Sequence, residues 1–155
     1  MLLNLQAELK QNKPFKSLEE EAHLSIQRTA ALLEHAFESA LKPHRITGTQ
    51  YNVLRILRGS EPTGLCRNEI GARLVRQVPD VTRLLDRLEE AKLISRHRGG
   101  SDRRYVTTRI TKAGLRMLDQ MDQIINETHD EQLGHLDEGQ LRRLITLLAV
   151  VRERP

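Results

Sequence analysis

The chain has 155 residues, a formal charge of +4, a single cysteine, and only 38% apolar and 3% aromatic residues. That length fits one domain, the lone Cys66 excludes an internal disulfide framework, and no apolar run approaches the roughly 18–20 residues that span a bilayer. The opening MLLNLQAELKQNK lacks a basic stretch followed by an apolar core, so it is no secretion signal, and the chain reads as cytoplasmic.

Helix starts are well signed along the chain. Ser17-Leu-Glu-Glu20 has the capping-box form and opens a helix whose apolar stripe is Leu18, Ala22, Ile26, Leu33, Phe37 and Leu41, closed by Pro43. Thr47-Gly-Thr-Gln50 is a second box, with Ile46 and Tyr51 placed as its staple, and this helix carries Val53, Leu54 and Leu57 to near Gly59. Glu61–Gly64 is a connector. A short helix over Cys66–Leu74 and a longer one over Pro79–Ala91 follow, with Pro79 suited to the first helical position. The hairpin Arg96–Thr111 turns at Gly-Gly-Ser-Asp, and Val106, Thr108 and Ile110 alternate with Tyr105, Thr107 and Arg109 as in a half-buried strand. Thr111 caps a helix with Leu115, Leu118, Met121 and Ile125, and Asp137 caps a last one with Leu141, Leu144, Leu148 and Val151. Low apolar content without Trp points to helices that complete their core against a second chain.

Short helix, turn, helix and then a β-hairpin is the order of a winged helix-turn-helix. The expected fold is mainly α with a small β-hairpin, a DNA-binding lobe over 47–110 joined to a helical region. Charge agrees with that order. The sequence pI is about 9.6, and Ser95–Arg116 holds Arg96, Arg98, Arg103, Arg104, Arg109, Lys112 and Arg116 against Asp102 alone, while Met117–Gln140 has no Lys or Arg. A basic segment beside an acidic one is a directed footprint for a polyanion.

In the helix PDVTRLLDRLEEAKLI, Val81, Leu84, Leu85 and Leu88 form the inward stripe and leave Asp80, Thr82, Arg83, Asp86 and Arg87 outward. Arg83 suits bidentate bonding to guanine, and Thr82 a phosphate oxygen or a thymine methyl. Arg67, Asn68 and Arg76 flank the turn as phosphate anchors. The plainer alternative for all of these is solvated helix surface. Arg98, Arg103 and Arg104 at the hairpin suit a narrow, negative minor groove. Asp102 is either a turn residue or a carboxylate that orients a neighbouring guanidinium.

Asp102-Arg103-Arg104, five residues, then Ile110-Thr111-Lys112-Ala113-Gly114 resembles the D-x-R-x5-[LI]-T-x-x-G wing signature of the MarR family of transcriptional regulators. VTRLLDRLEEAKLISR is similar to that family's recognition helix, and the likeness runs loosely from about Ser17 to Val151. The resemblance implies one domain over 1–155 and a homodimer whose dimerisation helices lie in 17–41 and 111–152. It further implies a repressor on a pseudo-palindromic double-stranded DNA operator, with Thr82, Arg83 and Arg87 as recognition-helix contacts and Arg104 in the minor groove, oriented by Asp102. Three positions depart from the pattern: Lys92 where glycine is usual, no side-chain oxygen at Val78 to cap the recognition helix, and Cys66 where Ser or Thr is common.

The family resemblance also implies release from DNA by a small phenolic or other aromatic ligand. His23, His44, Tyr51 and Arg55 are the available groups near the expected crevice, each with a structural reading as its alternative. A redox-responsive regulator acting through Cys66 and a helical protein–protein adaptor are the competing functions. No cofactor is expected, and the scattered histidines, with His129 and His135 off the i,i+4 spacing, argue against a metal. Without a phosphate-cradling glycine loop or a nucleophile–base pair, the chain does not read as an enzyme.

Overall fold

Side-chain caps set where most of the helices start. In the computed structural model, which describes residues 4–99 and 105–153, a short α1 (Leu5–Glu8) begins at Asn4, whose side chain accepts from the Gln6 N–H. Sequence periodicity is blind to so short a helix. The long α2 (Leu18–Leu41) starts at Ser17, whose hydroxyl accepts from the Glu20 N–H at 3.2 Å. The reciprocal bond of the expected box goes one residue further back, because Glu20 accepts from the Lys16 N–H at 2.6 Å. A 3-10 turn holding Pro43, Lys42–His44, follows directly. Thr47 and Gln50 exchange both capping bonds at the head of α3 (Gly48–Arg58), with Ile46 and Tyr51 buried as a staple requires.

The helix-turn-helix is α4 (Arg67–Arg73) and α5 (Val81–Glu90). Cys66 caps α4 and its N–H donates to Glu69 at 2.8 Å. Here the Pro79 start is corrected. Pro79 lies outside the helix, and Asp80 is the cap, its carboxylate accepting from the Arg83 N–H at 2.9 Å. A charged oxygen at the positive end of the helix outweighs proline's fixed φ as a starting signal.

The chain leaves α5 through Lys92, left-handed at φ 60°, a conformation that costs an L-residue on the order of 1 kcal/mol. Two bonds hold it there: the Lys92 N–H donates to the Glu89 carbonyl at 2.8 Å, and the Thr111 hydroxyl donates to the Lys92 carbonyl at 2.7 Å. Strands β1 (Ile94–Arg98) and β2 (Val106–Ile110) pair antiparallel, Ile94 opposite Ile110 and Arg98 opposite Val106. Leu65 adds a bridge to Thr108 through bonds of 3.0 and 2.8 Å, which ties the root of the hairpin to the start of α4. Gly64 makes that approach possible; its φ is +75° and a Cβ there would lie 2.7 Å from the Thr108 carbonyl oxygen.

Thr111 also caps α6 (Lys112–Leu133), accepting from the Gly114 N–H at 3.1 Å. Gly114 is buried so tightly against β1 that a Cβ would stand 2.3 Å from the Leu93 carbonyl oxygen. The T-x-x-G spacing thus has a local cause: one residue caps the helix and the other lets it touch the hairpin. Asp137 and Gln140 form a full capping box at α7 (Glu138–Arg152).

One core joins these pieces. Val53, Leu54 and Leu57 of α3 meet Ile70 of α4, Leu85 and Leu88 of α5, Ile94 and Ile110 of the hairpin, and Leu118, Met121 and Ile125 of α6. Each such side chain contributes about 1.5–3 kcal/mol by leaving water, an upper figure because the unfolded chain already hides some of it. Arg58 fastens α3 to α6 through a two-pronged bond to Asp122 at 3.0 and 3.3 Å, which raises the guanidinium pKa. Part of the acidic stretch 117–140 is therefore structural. No described helix is long and apolar enough to cross a membrane.

Candidate nucleic-acid interface

The amphipathic spacing of α5 buries Leu85 and Leu88, half-buries Val81 and Leu84, and leaves Thr82, Arg83 and Arg87 exposed on the opposite side. The turn from α4 brings Arg67 alongside. Its guanidinium donates to the Thr82 hydroxyl at 3.1 Å and, more weakly, to the Asn68 side-chain oxygen at 3.4 Å. Arg67, Asn68 and Thr82 therefore form one exposed polar cluster at the N-terminal end of α5, the end from which a recognition helix reaches base edges. Asp80 stands there too, but with its carboxylate engaged in capping.

The basic hairpin is less free than its composition suggests. Arg96 turns back onto α5: Nε donates to Glu89 at 2.9 Å, and Nη2 donates to Glu89 and to Asp86, each at 2.6 Å. These bonds hold the Glu89 carboxyl below the usual carboxylate range and push the Arg96 pKa up. Arg109 lies 3.7 Å from Glu61. Arg98 is exposed at the end of β1. Asp102, Arg103 and Arg104 lie outside the described residues.

Arg76, exposed on the loop between α4 and α5, pairs through its guanidinium with Glu34 of α2, which fastens that loop to the long helix. The neighbouring Val75 N–H donates to the Asn52 side-chain oxygen at 2.9 Å. Both contacts line a crevice of about 500 Å³ under α2, whose walls include Leu33, Phe37, Tyr51, Arg55, Val75 and His129. Phe37 meets Tyr51 edge-on with centroids 5.7 Å apart and lies parallel to the His129 ring at 6.1 Å. Burial pushes the Tyr51 phenol pKa up. Of the four residues expected near a ligand, Tyr51 and Arg55 line this crevice, and His23 and His44 do not. Phe37, His129 and Gln132 were not anticipated there; α2 and α6 bring them together from far apart in sequence.

A helix-turn-helix, a hairpin rooted beside it and an exposed basic face on the second helix define a winged helix-turn-helix protein of the DNA-binding class. The family model for the MarR family matches residues 46–106. A MarR transcription factor from Planctomyces limnophilus is 36% identical over 88% of this chain and 99% of its own, with a TM-score of 0.69. The chain belongs to the MarR family. The same fold is seen in a mutant MarR from E. coli complexed with operator DNA, 24% identical over 88% of this chain and 99% of that one, TM-score 0.77. It is seen again in BpsR of Bordetella bronchiseptica, whose DNA binding is regulated by 6-hydroxynicotinic acid, 19% identical over 86% of this chain and all of that one, TM-score 0.77.

Proposed function

We propose that the protein is a homodimeric repressor that grips a pseudo-palindromic operator and lets go when a small aromatic ligand enters the crevice under α2. The observation that carries the DNA-binding part is the exposed row Thr82, Arg83 and Arg87 on α5 with Arg67 and Asn68 beside it. Arg83 reads guanine, Arg87 and Arg67 hold phosphates, and the wing reaches the adjoining minor groove through Arg98 and the tip arginines Arg103 and Arg104.

Dimerisation is supported by apolar side chains on α2 and α7 that the single chain leaves in water. Leu18 and Leu32 on α2 and Ile145, Leu147, Val150 and Val151 on α7 are all more than half exposed. A two-fold partner that covers them sets the two α5 helices about one DNA turn, roughly 34 Å, apart. The ligand part is supported by the crevice, apolar on the Phe37 side and edged by Arg55 and Arg76. An occupant that separates Arg76 from Glu34 frees the α4–α5 loop and changes the setting of α5. The regulation of BpsR by an aromatic acid is consistent with such a site.

The test is a gel shift with the DNA upstream of the protein's own coding sequence, run across low to moderate salt. Salt-sensitive retardation is expected, because neutralised phosphates release counterions. No retardation at any salt would remove the autoregulatory repressor.

A further inference from the structure

We propose that Arg96 is a positioning residue: it locks the wing to the recognition helix, so that both present one rigid reading surface, and it makes no DNA contact of its own. This rests on the DNA-binding role of α5 and the wing given above.

Sequence composition counts Arg96 among the hairpin's polyanion-gripping cations. Its geometry says otherwise. Nε and Nη2 are both engaged with carboxylates of α5, and its backbone N–H also donates to Glu89, at 3.1 Å. The side chain is only 25% exposed, against 47% for Asp86 and 38% for Glu89. Charge-assisted, forked bonding of this kind fixes direction as well as distance. On the next strand Thr108, opposite Arg96, is buried and bridged to Leu65. The wing's root is thereby fastened on one side to α5 and on the other to the start of α4.

The acids need the same explanation. Asp86 and Glu89 stand three residues apart, hence on one flank of α5, and carboxylates on a DNA-reading helix repel the backbone phosphates. Arg83 and Arg87, on the same helix, are exposed. Asp86 and Glu89 lie beside them because their partner is Arg96, and the arginine is held where it orients β1 instead of a phosphate.

This assignment fixes the sign of an effect that simple electrostatics would give the other way. Glu89→Gln and Asp86→Asn remove negative charge near DNA while keeping side-chain shape, so they tighten binding if the acids are bystanders. If Arg96 positions the wing they weaken it, as does Arg96→Lys, which keeps the charge but cannot fork between two carboxylates. The experiment uses full-length chains and the duplex that the unaltered protein selects from a random pool. Affinity is measured together with the active fraction by stoichiometric titration, and minor-groove and major-groove protection are mapped separately. Each variant is expected to lose about tenfold in affinity at an unchanged active fraction, with minor-groove protection lost and α5's major-groove protection kept. Binding by Glu89→Gln and Asp86→Asn as tight as, or tighter than, the unaltered chain would overturn the proposal. So would both protections fading together as the active fraction falls, the mark of a merely misfolded variant. If the unaltered chain selects no DNA, the DNA-binding role itself fails and this proposal falls with it.

Discussion

Between α3 and β2 the chain encloses Val53, Leu54, Leu57, Ile70, Leu85, Leu88, Ile94 and Ile110, each at most 7% exposed; in α7, among the described residues, none is buried. Both regions are written with the same helical periodicity and good caps. They differ in where the apolar face goes: inward in the lobe, outward in α7. A helix gains most of its stability from packing its apolar stripe, not from propensity, yet α7 leaves Ile145, Leu147, Val150 and Val151 more than half exposed. The lobe's core also takes in Leu118, Met121 and Ile125 of α6, whereas α7 adds no buried residue to it among those described.

That contrast breaks most visibly if charges are set into the open face. Leu147→Glu combined with Val151→Glu is expected to leave a folded monomer by sedimentation and to weaken operator binding by about 100-fold or more, since burying unpaired charge costs several kcal/mol. A variant that sediments like the unaltered chain would mean that α7 is not the covered face. Where α6 meets the hairpin the corresponding probe is Gly114→Ala, which forces a methyl into the Leu93 carbonyl and the Ile110 side chain. Chemical denaturation should show a loss of about 1–3 kcal/mol. Arg83→Ala sharpens the division of labour, because it should cost about 1–3 kcal/mol of operator binding with an unchanged unfolding midpoint. The smallest effect is expected from Lys92→Gly, which relieves the left-handed residue between α5 and β1. A gain of about 0.5–1 kcal/mol, read as a rise of about 1–4 °C in Tm, is the anticipated result.

What was legible in the sequence was local. The boxes Thr47–Gln50 and Asp137–Gln140 and the Thr111 cap are exchanges between residues three apart, and all three formed as read. Asp80 was misread because Pro79 offered a rival start and position 83 holds Arg instead of the Glu or Gln of a capping box. The ion pairs of Arg96, Arg76 and Arg109 join residues 7 to 48 positions apart, and nothing in periodicity reveals them. They matter, because they divide cations that composition treats alike: Arg83, Arg87 and Arg98 lie exposed, Arg76 is exposed but paired with Glu34, and Arg96 is paired and largely covered. Of the four residues expected at a crevice, Tyr51 and Arg55 on α3 line the one under α2, and His23 and His44 do not. Its opposite wall, His129 and Gln132, became visible only once α6 was seen packed beside α2.

The central claim, that two copies of α5 read one operator together, is tested most directly by selection from a random duplex pool followed by footprinting of the winning sequence. The account predicts a two-fold symmetric motif whose half-sites are protected about one helical turn, roughly 10 bp, apart on one face. Enrichment of no sequence by the folded protein, or of an asymmetric site occupied by one chain, would contradict it.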